Sequence, residues 1–304
     1  MIHSFILLLL LPSMSLERSA AVLLNNAKYY YNYRMVSNVT GMYQGLKRLG
    51  FSDQDIMIGS NQTTFNFWAN SPQNMQRIED NNIKNNLIDK DTEIDILYED
   101  MNLKRHLMAF SGRYEEGDTI NKRIELDDTD KLFIYLTGHG GDKYMKIQYL
   151  EILFSRHFSD FFEDLFIRQK VESAFVLSDT CSAGTLFYTT SEKPNAIMIG
   201  SSGWDEFALS EGFDKYIGQP LKDRMSYRFV KFLDELYRDD PAFSFEDFIK
   251  RFNKKELESE LMWVNNLKGK KKDIDLKQYL VQNKEQIEFI SFEKDSQLID
   301  SLFA

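Results

Sequence analysis

The chain has 304 residues, 43% of them hydrophobic, enough to bury one large core or two small ones. Its formal net charge is −10, with an isoelectric point near 5.1, which argues against a nucleic-acid partner. Only five prolines, with no low-complexity run and no internal repeat, argue against a long linker.

Phe5–Leu11, FILLLLL, is an apolar block followed by Pro12-Ser13-Met14-Ser15. It reads as a secretory signal over residues 1–15 with a small-residue cleavage site, and it is too short to span a bilayer. The secreted chain would then carry one cysteine, Cys181, into an oxidising compartment. That excludes internal disulfides and marks the free thiol as a candidate for reactivity. Two glycan-acceptor triplets, Asn38-Val39-Thr40 and Asn61-Gln62-Thr63, are compatible with the same route.

Ala21–Asn25 predicts the first strand. After Lys28–Arg34, KYYYNYR, the spacing of Val39, Met42, Tyr43, Leu46 and Leu49 predicts a helix over Ser37–Leu49 that Gly50 ends. Asp55–Ile58 starts a second strand, and strand–helix–strand is a parallel α/β beginning. Leu103–Phe110, closed by Gly112, is another helix, and acidic Ile124–Asp130 leads into the apolar run Lys131–Thr137. Gly138-His139-Gly140-Gly141 follows, then a helix-like segment, Leu153–Gln169. Ser173–Gly184, SAFVLSDTCSAG, opens as the buried strand Ala174–Leu177 and breaks into small polar residues around Cys181. Asn195–Gly200 is a further buried strand, and Arg224–Tyr237 and Phe243–Phe252 are amphipathic helices. Past Trp263 the chain turns basic, KGKKKD, and then polar, which sets a catalytic domain over residues 16–265 and a polar extension over 266–304. No run there approaches the roughly 20 apolar residues of a membrane span.

His139 and Cys181 each lie just past the end of an apolar strand, and the intervening segment has room for one helical crossover. Both loops would open on the sheet edge where ligands of parallel sheets bind. Taken singly, a lone cysteine is usually a small buried hydrophobe and a histidine among glycines a turn residue. Together they have the pattern of a thiol nucleophile and its base. A thiol of ordinary pKa, about 8.5, is only a few per cent ionised at neutral pH and needs such a base or a favourable field.

These residues carry a resemblance. Tyr31-Asn32-Tyr33-Arg34, the segment Val39–Gly50, Tyr135–Gly141 and Asp179-Thr180-Cys181 resemble, in order, the catalytic subunits of glycosylphosphatidylinositol (GPI) transamidases. Those subunits are relatives of legumain among the caspase-like cysteine peptidases. Ser201-Ser202 and Asp223-Arg224 look like the same subfamily, and the likeness runs from about Ala21 to Tyr237. The resemblance implies an α/β, caspase-like three-layer sandwich with a mostly parallel central sheet flanked by helices. It implies Cys181 as nucleophile, His139 as general acid and base, and Asn32 as the residue that orients the histidine. Backbone N–H groups of Gly140 and Cys181 would form the oxyanion hole, and Arg34, Asp179, Ser201 and Ser202 would line the substrate pocket. The thioester would be resolved by the ethanolamine amine of a GPI lipid after the proprotein's C-terminal signal leaves.

The chemistry so implied needs no cofactor, although Asp53, Glu93 and Asp95 fall where relatives bind a structural calcium, an ion suited to carboxylates. Partner subunits on the lumenal face of the endoplasmic reticulum would supply membrane contact, with the Phe-rich helices after Arg224 as part of the docking surface. The chain departs from the family pattern at Met35, usually histidine, and at Thr63–Pro72, which has no cysteine for bonding a partner; a C-terminal membrane helix is missing. A legumain-like asparaginyl endopeptidase and a non-catalytic scaffold of the same fold are the alternatives.

Overall fold

Five runs of the sequence are mostly apolar without alternation, because their strands are covered on both faces. The computed structural model describes residues 18–60, 77–80, 83–86, 92–97, 100–118, 124–168, 170–190, 194–215, 218–268 and 274–282. The predicted leader, the Asn61 triplet and the Thr63–Pro72 loop lie outside the described residues.

The first half of the chain forms β1 (Ser19–Asn25), α1 (Tyr33–Arg48), β2 (Ile56–Ser60), the hairpin β3 (Arg77–Asp80) and β4 (Ile83–Asn86), β5 (Ile96–Leu97), α2 (Leu103–Ser111) and β6 (Lys131–Thr137). Next come β7 (Gly140–Gly141), β8 (Tyr144–Ile147), β9 (Glu151–Phe154), α3 (Ser155–Ile167), β10 (Ser173–Asp179) and β11 (Ala196–Gly200). The last elements are β12 (Ser210–Asp214), β13 (Gln219–Asp223), α4 (Arg224–Asp239), α5 (Phe245–Arg251), α6 (Lys254–Leu257) and β14 (Met262–Asn265).

Seven strands make the central sheet in the order β14-β11-β10-β6-β1-β2-β5. All neighbours are parallel except β14, which runs antiparallel to β11. Alternate residues feed two cores. Leu23, Phe133, Phe175 and Ile199 face α1, α4 and α5, packing with Val39, Leu46, Phe229 and Phe248. Val22, Ile134, Val176 and Met198 face α2 and α3, packing with Phe110, Phe158 and Phe162. The result is the expected helix–sheet–helix sandwich.

The helix predicted over Ser37–Leu49 starts earlier, at Tyr33, because the 3-10 turn Tyr30–Asn32 winds straight into it. Its five named apolar residues all join the core, and Gly50 ends it at φ 97°. Four other expectations are corrected. A small sheet, β7-β8-β9, stands between His139 and α3 where no strands were predicted. Phe229, Phe232, Phe243, Phe248 and Phe252 of the C-terminal helices are buried in the core and offer no docking surface. Asn38 sits inside α1, buried, and donates to Asp223 Oδ2 at 2.6 Å, so its triplet cannot carry a glycan. Finally, residues 274–282 are part of the domain instead of an extension starting at 266. Leu276, Tyr279 and Leu280 enter the core, and Gln282 Nε2 donates to the Ser19 carbonyl at 2.6 Å.

Candidate active site

β6 and β10 are adjacent and parallel, and their pairing ends with Asp179 opposite Thr137. His139 and Cys181 each follow two residues beyond that last pair, so both leave the sheet at one edge and one level. The two loops touch. A Cβ on Gly140 would lie 2.6 Å from Thr180 Oγ1 and 2.9 Å from the Tyr144 carbonyl, so only glycine lets the histidine loop sit this close.

Cys181 is partly exposed at the head of a sharp turn, with Ser182 in the left-handed region at φ 51°. Ser202 holds this turn from behind. Its hydroxyl donates to the Thr180 carbonyl at 2.7 Å and accepts from Ala183 N at 3.0 Å, spanning the cysteine. Ser202 is fully buried in that role. Gly184 lies so close to β14 that an added Cβ would be 2.1 Å from Met262 Cβ.

On the other side, Asn32 closes the 3-10 turn before α1 and aims its amide at the imidazole. Asn32 Nδ2 donates to the Lys28 carbonyl and to Tyr149 Oη (3.2 Å), which turns Oδ1 toward His139 Nε2 at 2.8 Å. An accepting oxygen there requires the proton on Nε2, leaving the Nδ1 lone pair free. Burial, with the charges of Arg34 and Lys146 adding, pushes His139 down to about 4. The ring is therefore neutral and able to take a proton throughout the neutral range.

Arg34, on the first turn of α1, donates from Nε to Asp223 Oδ1 at 2.8 Å. Asp223 also accepts from Asn38, and burial raises its pKa against both partners. Asp179 is buried beneath the cysteine loop, where it accepts from Ser226 N at 3.1 Å and from the Ser226 hydroxyl. Burial and the nearby Asp223 charge push it up to about 6, with Ser201 beside it opposing the rise. Arg34, Asp179 and Ser201 thus share one polar neighbourhood, completed by Asp223.

The acidic trio is less assembled. Asp53 Oδ1 accepts from Tyr43 Oη at 2.6 Å and from Lys47 Nζ at 2.9 Å, and Asp95 Oδ2 accepts from Ile58 N at 2.8 Å. Burial, then the charges of Glu93 and Asp53, push Asp95 up to about 8. Among the described residues no group of three His, Cys, Asp or Glu side chains is gathered so as to hold a metal ion.

Sequence reasoning missed three site residues. Tyr149 bonds to Asn32, and its ring lies 5.5 Å from the His139 ring. Lys146 N donates to the His139 carbonyl at 2.8 Å. Asp223 was seen only as part of the Asp223-Arg224 likeness; its separation from Arg34 by 189 positions leaves no local signal of the ion pair.

A model of the Peptidase C13 family matches residues 20–282. The GPI-anchor transamidase of Saccharomyces cerevisiae is 31% identical over 217 residues, covering 71% of this chain and 52% of that protein. The GPI-anchor transamidase of Schizosaccharomyces pombe is 28% identical over 268 residues, covering 85% and 70%. With the first of these, the match spans about half of the relative's length. Among solved structures, caspase-1 from Spodoptera frugiperda aligns with TM-score 0.46 and 11% identity, covering 83% of this chain and 90% of that one. Among the described residues no helix is long and apolar enough to cross a membrane.

Proposed function

The chain belongs to the Peptidase C13 family, and on that premise we propose that it is the catalytic subunit of a GPI-anchor transamidase. The observation that carries the reading is the pairing of β6 with β10, which brings the Cys181 and His139 loops together while Asn32 occupies the far nitrogen of the imidazole. The transamidase names of its relatives support the choice of reaction.

In the first half-reaction, His139 Nδ1 takes the Cys181 proton as sulfur attacks the scissile carbonyl. That proton passes to the departing amine, the C–N bond breaks, and a thioester remains. Backbone N–H groups of Gly140 and Cys181 hold the oxyanion, each donor contributing about 3 kcal/mol. In the second, the acceptor amine attacks the thioester and gives its proton to His139; the C–S bond breaks and sulfur recovers the proton. Arg34, with Asp179, Ser201 and Asp223 around it, offers donors and acceptors to a polar side chain at the cleavage site.

These steps use side chains and backbone groups alone. Carboxylate oxygens suit a structural calcium at Asp53, Glu93 and Asp95, a part of the proposal that rests on donor chemistry only. Both substrates are membrane-embedded, so the proposal includes partner subunits that hold the strand-end loops toward the bilayer, on the lumenal face of the endoplasmic reticulum.

The test is anchor attachment in cells whose only copy is Cys181→Ala or His139→Ala. Attachment should be abolished while the subunit still folds and assembles. Normal attachment would make the chain a scaffold. Hydrolysis of small Asn-containing peptides by the purified chain alone, with no transfer to amines, would make it a legumain-like endopeptidase.

A further inference from the structure

The two N–H groups assigned to the oxyanion belong to different loops, Gly140 to the histidine side and Cys181 to the cysteine side. Their spacing therefore depends on what joins those loops. β7 and β8 form a hairpin with Gly140 opposite Met145 and Gly141 opposite Tyr144. Lys146 N donates to the His139 carbonyl, and bonded pairs alternate along an antiparallel ladder. Gly140 thus falls between bonded pairs and turns its N–H away from β8. Cys181 N likewise meets no backbone acceptor among the described residues.

Two contacts decide how the loops meet. At Gly140 the contact is steric, since Thr180 is buried against it with a hydroxyl that has no hydrogen-bond partner. It limits approach but does not stop the loops from parting. Thr185 does that. It is wholly buried in the 3-10 turn Ala183–Phe187 that follows the cysteine. Its Oγ1 accepts from Lys143 N at 2.7 Å, and it lies 2.7 Å from the Ser182 carbonyl and 3.5 Å from the Gly141 carbonyl. A hydroxyl has one proton, and the shorter distance gives it to Ser182. Thr185 N donates to the same carbonyl at 3.0 Å. On the hairpin side, the Lys143 carbonyl accepts from Ser155 N at 2.8 Å, which pins the tip between the cysteine turn and the start of α3. Among the described residues no hydrogen bond other than those of Thr185 joins hairpin and cysteine turn.

We propose that Thr185 is a positioning residue of the reaction, its buried hydroxyl bridging Lys143 N and the Ser182 carbonyl so that the Gly140 and Cys181 N–H groups reach one oxyanion together. The inference rests on the thioester chemistry of the proposed function and holds whether an amine or water resolves the thioester. A donor misplaced by about 1 Å costs roughly a hundredfold. The loss falls on the rate, because the oxyanion exists only after attack and not in the bound substrate.

The experiment uses membranes holding the assembled complex, with hydroxylamine as a soluble acceptor. Transfer of a proprotein to hydroxylamine is followed against proprotein concentration. Thr185→Val keeps the shape and loses both hydrogen bonds of the hydroxyl. It should lower the saturating rate about a hundredfold and leave the half-saturating concentration nearly unchanged. Thr185→Ser keeps the hydroxyl and should retain most of the rate. Thr185→Ala repeats the comparison should the valine variant fail to assemble. Iodoacetamide labelling of Cys181, read by mass analysis of its peptide, separates the donors from the thiol and its base. Labelling displaces iodide at a saturated carbon and forms no oxyanion, so its rate and pH profile should match the native complex.

An unchanged saturating rate overturns the proposal, as does a loss carried by the half-saturating concentration alone. Equal losses in the valine and serine variants overturn it too, by assigning the effect to packing. Labelling that slows in step with transfer also overturns it, since Thr185 would then act on the thiol itself. A native complex that releases the proprotein to water and transfers nothing to hydroxylamine overturns the transamidase reading alone, and Thr185 is then judged by the same split in hydrolysis.

Discussion

Replacing Asn32 with Asp tests the site at one atom, because it exchanges the amide for a carboxylate 2.8 Å from His139 Nε2. In the native chain, burial first and then Arg34 and Lys146 push the imidazole from 6.5 down to about 4. An opposite charge at hydrogen-bond distance favours the imidazolium and raises the pKa by about 1–3 units. The midpoint of the variant should therefore fall between roughly 5 and 7. The direct assay is NMR titration of the His139 Cε1–H signal, which is tractable with four histidines in the chain. A second readout is the pH dependence of Cys181 alkylation by iodoacetamide, where a sole cysteine makes every adduct unambiguous. Its acid limb should move upward with the histidine. Stability should respond in the matching sense. A histidine whose folded pKa lies below 6.5 destabilises the fold as pH falls from 6.5 toward 4, and Asn32→Asp should soften that loss. A His139 midpoint that stays near 4 in the variant would refute the assignment of Asn32 as its partner.

Four further outcomes are expected. Asp95 keeps its proton in the fold up to about 8 against 3.8 for the ordinary group, so stability should fall as pH rises through that window. Asp95→Asn should flatten the decline, by as much as several kcal/mol near pH 8, and millimolar calcium should raise the native melting temperature there but not that of the variant. Gly140→Ala, driven against Thr180 and Tyr144, should cost about 1–3 kcal/mol in denaturant titrations and reduce anchor attachment far more than that loss explains. Phe229→Ala should cost about 3–5 kcal/mol by urea unfolding, since the ring is wholly buried. Intact-mass analysis of chain made in a secretory host should find no glycan on Asn38.

Five strands of the sheet were legible because they are covered on both sides, which turns each into a mostly apolar run such as Leu132–Leu136; the partly exposed β14 and the two-residue β5 were not. The thiol and imidazole were legible for a related reason: small polar residues break those runs at the edge where the loops emerge. β7-β8-β9 was not, since its strands are two to four residues long, and the one alternation there, Met145 and Ile147 buried in alternation with Tyr144 and Lys146, is too short to stand out. The C-terminal helices misled in a different way. An amphipathic pattern says that Phe229 and Phe248 lie on an apolar face, but not whether a core or another protein covers it. Ser202 shows the same limit at the site, because nothing local in the sequence says that its hydroxyl brackets Cys181.

The two margins of the central sheet are unequal in what they allow a neighbouring chain to do. β14 closes one margin and also backs the nucleophile, its Met262 standing against Gly184. A partner strand that took its place would withdraw that support, whereas one laid along its outer edge would leave Met262 against Gly184. Among the described residues the opposite margin is β5, two residues long and four strand spacings from β10, about 19 Å. A strand added there extends the hydrogen-bonded ladder and leaves the cysteine turn untouched.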